Sequence, residues 1–376
     1  MIEKDAVSCA APVADPTARF AAAYGVLRGA IDAKAFPGCA FGVLAGGRVM
    51  VEDALGRFTF EEDSPAVTPQ TVFDVASVTK VASTTAAAML LHQQRRLELE
   101  TPLADLLPGF VVGRAPGTFA RHVRLRHLLA HSSGLPGYAD FFRQHTTPMG
   151  LLRACLELPV EVPPGSRAEY SDPGFILLGK ALEVILGEPL LGWVQREIYA
   201  ELGMTASTFC PRPSARPLIP PTEEDTTFRH RIIQGEVQDE NAFVLNGAAG
   251  HAGLFTNVRD LLTLAREILA AGGHPSIGEP AKLFHPATVE LFAERQPPED
   301  STRALGWDTP GKDSTSGRHF SSRTIGHLGF SGCSFWIDRE AGVIVALLTN
   351  RTWPDRANRA IRQVWPEFHD AVRTAL

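Results

Sequence analysis

The chain has 376 residues, more than a typical single domain, and 44% are hydrophobic against 21% charged, which favours a large globular core. A net charge of −6, without a run of lysines or arginines, argues against nucleic acid as a partner. No stretch of about 18 consecutive apolar residues occurs, so the sequence predicts no membrane-spanning helix and no membrane partner.

The cysteines and the N-terminus indicate the compartment. Five cysteines, odd in number and without a CxxC pair, predict neither a disulfide framework nor a zinc site. They are Cys9, Cys39, Cys155, Cys210 and Cys333. Free thiols suit a reducing compartment, and the acidic start MIEKDAVSCAAPVADP lacks the apolar core of a signal peptide. We therefore expect a cytoplasmic protein, or a periplasmic one if a leader was removed.

The first predicted elements are a helix and a hairpin. Residues 17–34 have the period of an amphipathic helix, and residues 39–57 contain two apolar runs around Gly46 and Gly47. Because a Gly-Gly pair tolerates positive φ, the second segment predicts a β-hairpin.

Helix patterns dominate the middle of the chain. RHLLAH predicts a helix that ends at residues 132–134 (SSG), a plausible C-cap. The runs at residues 174–187 and 258–273 are apolar-periodic, and Thr256 and Asn257 are N-cap candidates for the second run.

Strand patterns return near the C-terminus. Residues 334–350 predict a second hairpin, and residues 357–374 predict a helix that Pro366 should kink or restart. Strands at both ends and helices between them favour the α+β class.

The order of these elements predicts an antiparallel β-sheet flanked by N- and C-terminal helices, with an inserted, mostly helical domain. We assign residues 1–75 and 305–376 to the sheet domain and residues 76–304 to the helical domain. The cleft between two domains is a common place for a small-molecule site, so we expect the active site there.

The tetrapeptide Ser77-Val78-Thr79-Lys80 is the first chemical motif. Residues three apart share one face of a helix, so a hydroxyl and an ammonium are presented together. This arrangement suits a serine nucleophile with a neighbouring lysine. By itself the motif equally fits the commoner case of an N-cap serine beside a solvated lysine.

Two further motifs follow in order. SVTK at residues 77–80 is followed by YSD at residues 170–172 and by HLG at residues 327–329. This layout resembles the penicillin-recognising serine hydrolases, in particular the class C β-lactamase branch. Residues 221–256 and the ALGWDT segment are similar to a narrower branch, which includes penicillin-binding-protein-4B-like proteins and an N-acetylmuramoyl-alanine amidase. Some similarity can be followed from about residue 20 to about residue 350.

The resemblance implies a role for each motif. Ser77 is the nucleophile, and Lys80 or Tyr170 is the base, with all three in one hydrogen-bonded cluster. Burial is expected to lower the pKa of Lys80, and a cationic neighbour to lower that of Tyr170; apart from the resemblance, Tyr170 would be assigned to the core. The backbone N–H groups of Ser77 and Phe330 form the oxyanion hole, where Gly329 lets the backbone approach the substrate.

The sequence departs from the usual motifs at three positions. Asp172 stands where asparagine is more frequent, His327 where these enzymes have lysine, and Leu328 where they have threonine. In the relatives, the lysine and threonine hold the carboxylate of penicillins, so this chain should hold it poorly, with slight improvement toward pH 6 if His327 becomes protonated. Asp172, His327 and Gly329 are substrate-binding candidates. His251 and Trp307 are further candidates, with a structural role as the alternative for both.

These observations predict a metal-independent serine hydrolase without a cofactor, which forms an acyl-enzyme on Ser77. Its partner is a small ester, an amide or a peptidoglycan fragment such as a muropeptide, and the protein is expected to be a monomer. A promiscuous carboxylesterase or a weak β-lactamase is the near alternative. A non-catalytic, penicillin-binding-like protein is the alternative of another class.

Overall fold

A computed structural model describes residues 16–312 and 314–376. The acidic N-terminal stretch, Cys9 and the first fifteen residues of the predicted sheet domain lie outside the described residues.

A five-stranded antiparallel sheet, with strand order β2-β1-β10-β9-β8, forms the frame of the fold. A three-stranded sheet, β3-β7-β4, and a two-stranded sheet, β5-β6, complete the strands of the described chain. The strands are β1 (Gly38–Ala45), β2 (Arg48–Gly56), β3 (Phe73–Asp74), β4 (Thr208–Phe209), β5 (Pro221–Asp225), β6 (Arg231–Gln234), β7 (Leu254–Thr256), β8 (Thr324–Leu328), β9 (Ser334–Asp338) and β10 (Val343–Thr349). Both predicted hairpins are present, and Gly46 and Gly47 turn the first with φ of 57° and 75°.

The helices surround this sheet and fill the middle of the chain. They are α1 (Pro16–Arg19), α2 (Ala21–Asp32), α3 (Ala86–Gln93), α4 (Leu103–Leu106), α5 (Leu125–Leu129), α6 (Pro148–Glu157), α7 (Asp172–Leu186), α8 (Leu190–Val194), α9 (Ala200–Leu202), α10 (Glu240–Val244), α11 (Val258–Ala271), α12 (Pro286–Ala293) and α13 (Ile361–Thr374). Wide π-helical turns at Lys80–Thr85 and Gln195–Tyr199 lead into α3 and α9.

Each face of the large sheet is covered by helices. Helices α2 and α13 pack on each other and on one face, where Tyr24, Phe41 and Phe368 form edge-to-face aromatic pairs. Helix α11 packs against β10 and β1 on the other face, as part of a core continuous with the helical region. This arrangement confirms the predicted α+β class and the antiparallel sheet with terminal helices, while the division into domains at residues 75 and 305 stays a prediction.

Two helices differ from the sequence predictions, α13 at Pro366 and α5 at its C-terminal end. Helix α13 runs through Pro366 without a restart, because Trp365 and Phe368 on either side of it are buried against the sheet. Helix α5 ends one turn before the predicted SSG cap: His131 takes the left-handed conformation, with φ of 54°, and the Ser132 N–H closes the turn on the His127 carbonyl. Asn257 caps α11 through its side chain, as predicted.

Among residues 16–312 and 314–376, every helix is too short or too polar to cross a bilayer.

Candidate active site

Ser77 lies on a constrained turn between β3 and the helical segment that follows. The residue before it, Ala76, has φ of 46°, a conformation that alanine rarely adopts. The Asp74 carboxylate holds this turn by accepting hydrogen bonds from the N–H of Ala76 and the N–H of Gln238, each at 2.8 Å. The Thr79 hydroxyl donates to the Ala76 carbonyl at 2.6 Å. The turn therefore fixes where the Ser77 hydroxyl points.

Asp74 gives the turn a measurable pH dependence. Burial raises the pKa of its carboxyl to about 6, against the opposing hydrogen bonds from Gln238 and Ala76. The folded protein therefore binds more protons than the unfolded chain between about pH 4 and pH 6, and this contribution to stability is lost as pH rises through that range.

We expect Asp74→Asn, which cannot ionise, to remove that dependence. The difference in free energy of unfolding, wild type minus variant, should fall as the pH rises from 4 to 7. At 1.36 kcal/mol per pKa unit, the fall amounts to up to about 3 kcal/mol. Urea denaturation at both pH values measures it, with the exposed Asp32→Asn as control. A wild-type-minus-variant difference that stays constant with pH would contradict this account of Asp74.

Lys80 is buried rather than solvated, which excludes the alternative interpretation of the SVTK motif. Its side chain has 0% exposure, and its Nζ lies 3.0 Å from Ser77 Oγ, 2.6 Å from Asp172 Oδ1 and 3.1 Å from the His251 carbonyl oxygen. The ammonium thus has three acceptors, one of them charged. Asp172 therefore pairs with Lys80, and His251 contributes its backbone to the cluster.

The charges of this cluster differ from the sequence expectation. Burial alone would lower the pKa of Lys80, but the attraction of the Asp172 carboxylate, together with Tyr170, outweighs it and leaves the pKa raised. Burial and Asp172 raise the pKa of Tyr170 to about 12, although Lys80 opposes them. The expected lowering of both pKa values is therefore wrong, because Asp172 supplies a negative charge that acts on both groups.

Tyr170 completes the cluster around Ser77. Its hydroxyl donates to Ser77 Oγ at 2.7 Å, and Lys80 Nζ lies 4.8 Å from the centre of its ring. In this arrangement Ser77 Oγ accepts from both candidate bases. Which of the two takes the serine proton stays open, because tightly coupled groups titrate as a unit.

His131 and Arg303 hold the Tyr170 ring in place, although the sequence did not assign either residue to the site. The His131 ring lies between the rings of Tyr170 and Phe175, with centroids 4.7 Å and 4.9 Å away, and its Nδ1 accepts from the Ser171 N–H at 2.9 Å. The Arg303 guanidinium lies 5.3 Å from the centre of the Tyr170 ring. The sequence marked His131 only as the end of a helix and gave no signal for Arg303.

The predicted oxyanion donors are present as unpaired groups. Within the described part of the chain, neither the Ser77 N–H nor the Phe330 N–H donates a hydrogen bond. Gly329 lies so close to the segment between β3 and Ser77 that a Cβ on it would come within 2.4 Å of the Val75 carbonyl oxygen. Glycine is therefore required for packing at this position, in addition to any approach of substrate.

His327 lies on β8 beside Tyr170, with ring centroids 5.8 Å apart. Burial, together with the nearby cations Lys80 and Arg303, lowers the pKa of its imidazole well below the ordinary value. His327 is therefore neutral at pH 7, as predicted, but the expected protonation toward pH 6 is wrong.

A cavity of about 1160 Å³ opens in front of this cluster. It is lined by Ser77, Tyr170, Asp172, His327, Gly329 and Phe330 among the predicted site residues. His251 and Trp307 do not line it. The His251 imidazole forms a hydrogen bond with Asp239 at 2.9 Å. Trp307 is a core residue with 1% exposure. Both positions fit the structural role that the sequence analysis gave as the alternative.

The residues that could hold a metal ion lie at another wall of the cavity. Carboxylate oxygens of Glu223, Asp225 and Glu240 lie within 4.8 Å of one another. Arg356 forms ion pairs with Glu223 and Glu240, and Arg229 bonds Asp225 at 3.0 Å. Two guanidinium groups thus offset part of the charge of the three carboxylates and occupy their oxygens.

Fold and site together define a class of protein: an antiparallel sheet with helices on both faces, joined to a helical region that carries a serine, a lysine and a tyrosine within hydrogen-bonding distance. A protein-family model described as Beta-lactamase matches residues 25–365. The chain belongs to the beta-lactamase family, a family of serine hydrolases, which confirms the predicted enzyme class.

Individual relatives agree with this assignment. The N-acetylmuramyl-L-alanine amidase of Bacillus subtilis is 31% identical over 351 residues, covering 85% of this chain and 78% of that protein. An Escherichia coli protein named "Putative D-alanyl-D-alanine carboxypeptidase" is 32% identical over 319 residues, covering 77% and 71%. Among solved structures, EstCE1, described as a hydrolase with promiscuous acyltransferase activity, superposes with a TM-score of 0.75 at 23% identity, covering 95% and 99%.

Proposed function

We propose that the protein hydrolyses an amide or ester through an acyl-enzyme on Ser77. The observation that carries this proposal is the contact of Ser77 Oγ with both Tyr170 and Lys80, at 2.7 Å and 3.0 Å. A serine hydroxyl is a weak nucleophile by itself, and a group that accepts its proton within hydrogen-bonding distance is what activates it.

The reaction takes place in two steps. The reactive form is the one in which the Lys80–Tyr170 pair has released one proton to solvent, so that either the amine or the phenolate can accept a proton. Ser77 Oγ attacks the substrate carbonyl carbon, its proton passes to that pair, and the oxyanion is stabilised by the N–H groups of Ser77 and Phe330. The leaving group takes the proton from the pair as its bond to the carbonyl carbon breaks. Water then attacks the ester on Ser77, giving up its proton to the same pair, and Ser77 recovers a proton when the product acid leaves.

The proposed substrate is a muropeptide fragment of the cell wall. Both curated relatives carry names that refer to peptidoglycan bonds. The cavity is large enough for a peptide attached to a sugar and carries charges of both signs. Its lining includes Asp140 and Glu224 as well as Arg359 and Arg362, which suits a substrate with both ammonium and carboxylate groups.

A carboxylesterase acting on neutral esters is the second candidate. The third motif itself supplies no positive charge, since His327 is neutral and Leu328 is apolar, so these two residues do not require a charged group on the substrate. A reducing compartment is proposed for either activity, since Cys39, Cys155 and Cys333 are buried, unpaired thiols.

A substrate screen with intact-mass detection tests the proposal. Muramyl peptides, D-alanyl dipeptides and short-chain p-nitrophenyl esters are incubated with the protein, and the mass increase of a trapped acyl group is located by peptide mapping. An adduct on Ser77 with a muramyl peptide supports the cell-wall substrate, and an adduct with simple esters alone supports the esterase. Turnover without any adduct, in a protein whose Ser77→Ala variant is equally active, would refute the acyl-enzyme.

Penicillin turnover is expected to be slow or undetectable at pH 7.5 under conditions where the best ester is cleaved. A neutral His327 and an apolar Leu328 cannot supply the charge-assisted bonds to the penicillin carboxylate, each worth roughly 1.5–3 kcal/mol. The double variant His327→Lys with Leu328→Thr should acylate faster with penicillin G, whereas lowering the pH to 6 should not help the wild type. Stopped-flow acylation rates measure this, with Leu328→Thr alone as control. Penicillin hydrolysis by the wild type as fast as its best ester would contradict it.

A further inference from the structure

The His327 imidazole has a fixed tautomer. Its Nδ1 lies 2.7 Å from the carbonyl oxygen of Leu328. A carbonyl oxygen can only accept a hydrogen bond, so Nδ1 carries the hydrogen. The residue is 3% exposed and lies beside Tyr170 in the lining of the cavity, with the cations Lys80 and Arg303 nearby, and these surroundings disfavour a second proton.

The other ring nitrogen is therefore a free acceptor. In a neutral imidazole with hydrogen on Nδ1, Nε2 presents a lone pair. Within the described residues, Nε2 of His327 has no hydrogen-bond partner although it is buried. A buried acceptor without a partner costs stability, and this one belongs to a residue that lines the cavity, where a bound ligand can supply the partner. The lysine that the family usually has at this position is a donor, so the polarity is reversed here.

We propose that Nε2 of His327 accepts a hydrogen bond from a neutral donor on the substrate, an amide N–H or a hydroxyl near the scissile carbonyl. This inference rests on the proposed function, in which Ser77 is the nucleophile. The imidazole is beside the phenol that contacts Ser77 Oγ, so a donor bound to His327 is held close to the reacting carbonyl. A carboxylate oxygen placed against Nε2 meets a second acceptor instead of a donor, so this atom selects donor groups.

Matched esters measure this selection. The p-nitrophenyl esters of N-acetylglycine and N-acetylsarcosine differ by one amide N–H, and those of glycolic and methoxyacetic acid differ by one hydroxyl. In the wild type, the donor-bearing member of at least one pair should have the higher kcat/KM by about tenfold. The amide and hydroxyl pairs distinguish a peptide group from a sugar hydroxyl as the source of the donor.

Two variants of His327 separate the loss of the Nε2 acceptor from a general loss of activity. His327→Asn can keep a donor for the Leu328 carbonyl but has no atom at the Nε2 position, so the preference for the donor should fall to about unity. The amide oxygen of His327→Gln reaches toward that position and should restore most of the preference. Ratios within each protein cancel general losses of activity, and thermal melting shows that both variants fold.

Two outcomes overturn the inference: an unchanged preference in His327→Asn, or no preference in either ester pair with the wild type. If no ester acylates Ser77 at all, the proposed function fails. The role of His327 is then tested separately by NMR spectroscopy of its imidazole. Long-range ¹⁵N–¹H spectra, assigned with His327→Gln, should show Nδ1 protonated and Nε2 unprotonated. The Nε2 signal should shift on addition of N-acetylglycinamide but not of the fully N-methylated analogue. A protonated Nε2, or no difference between the two probes, would also overturn it.

Discussion

Ser77→Ala will reduce the hydrolysis of short-chain p-nitrophenyl esters by at least about a thousandfold, as expected for removal of a covalent nucleophile. The variant loses the oxygen that Tyr170 and Lys80 contact at 2.7 Å and 3.0 Å, and no other hydroxyl takes its place in that cluster within the described chain. Initial rates at pH 7.5 and intact-mass analysis measure the effect, and the acyl adduct seen with the wild type should be absent.

A matched control exists in the same segment. Ser83 is also buried, but its hydroxyl bonds the Tyr199 hydroxyl at 2.6 Å and does not line the cavity. Ser83→Ala should therefore keep activity within a few-fold of the wild type, provided that melting shows it folded. A folded Ser77→Ala protein with wild-type turnover would remove Ser77 from the mechanism, and equal losses in both variants would point to damage of the fold.

Local patterns predicted the parts of the structure that local physics determines. The two hairpins follow from apolar runs joined by short turns, and α7 and α11 follow from their apolar period. The order of the three motifs led to Ser77, Lys80 and Tyr170, and the structure brings these side chains into contact over 93 positions of sequence. Here the resemblance to a known family supplied what spacing alone could not.

The sequence could not predict properties that depend on which charges meet in the interior. Burial alone predicts a lowered pKa for Lys80, but Asp172 lies 2.6 Å away and reverses the direction of the pKa shift. Arg303 is far from Tyr170 in sequence and belongs to no motif, yet it lies over that ring. The wide turn at Lys80–Thr85 and the left-handed His131 are set by tertiary contacts as well. The monomeric state stays a prediction.

The second large effect concerns the proton-transfer pair. Lys80→Met and Tyr170→Phe should each lower kcat by about a hundredfold to ten-thousandfold, the range for a group that moves a proton in the transition state. Lys80→Met keeps an unbranched apolar stem, and Tyr170→Phe keeps the ring stacked on His131 while removing only the hydroxyl. Because Lys80→Met leaves the Asp172 carboxylate without its cation, the double variant Lys80→Met with Asp172→Asn controls for the uncompensated charge.

The informative comparison is between the acylation rate of the combined variant Lys80→Met with Tyr170→Phe and the rates of the two single variants. If the two groups act as one unit around Ser77 Oγ, removing the second after the first should cost little more, within about threefold of the worse single variant. Two independent contributions would instead multiply, because their free energies would add. Single-turnover acylation of the wild type, the two single variants and the combined variant at pH 7.5 measures this. EDTA should change none of the rates, since the carboxylate cluster of the cavity is ion-paired with arginines and does not touch Ser77. Losses that multiply cleanly would show that Lys80 and Tyr170 contribute independently to acylation and do not act as one unit.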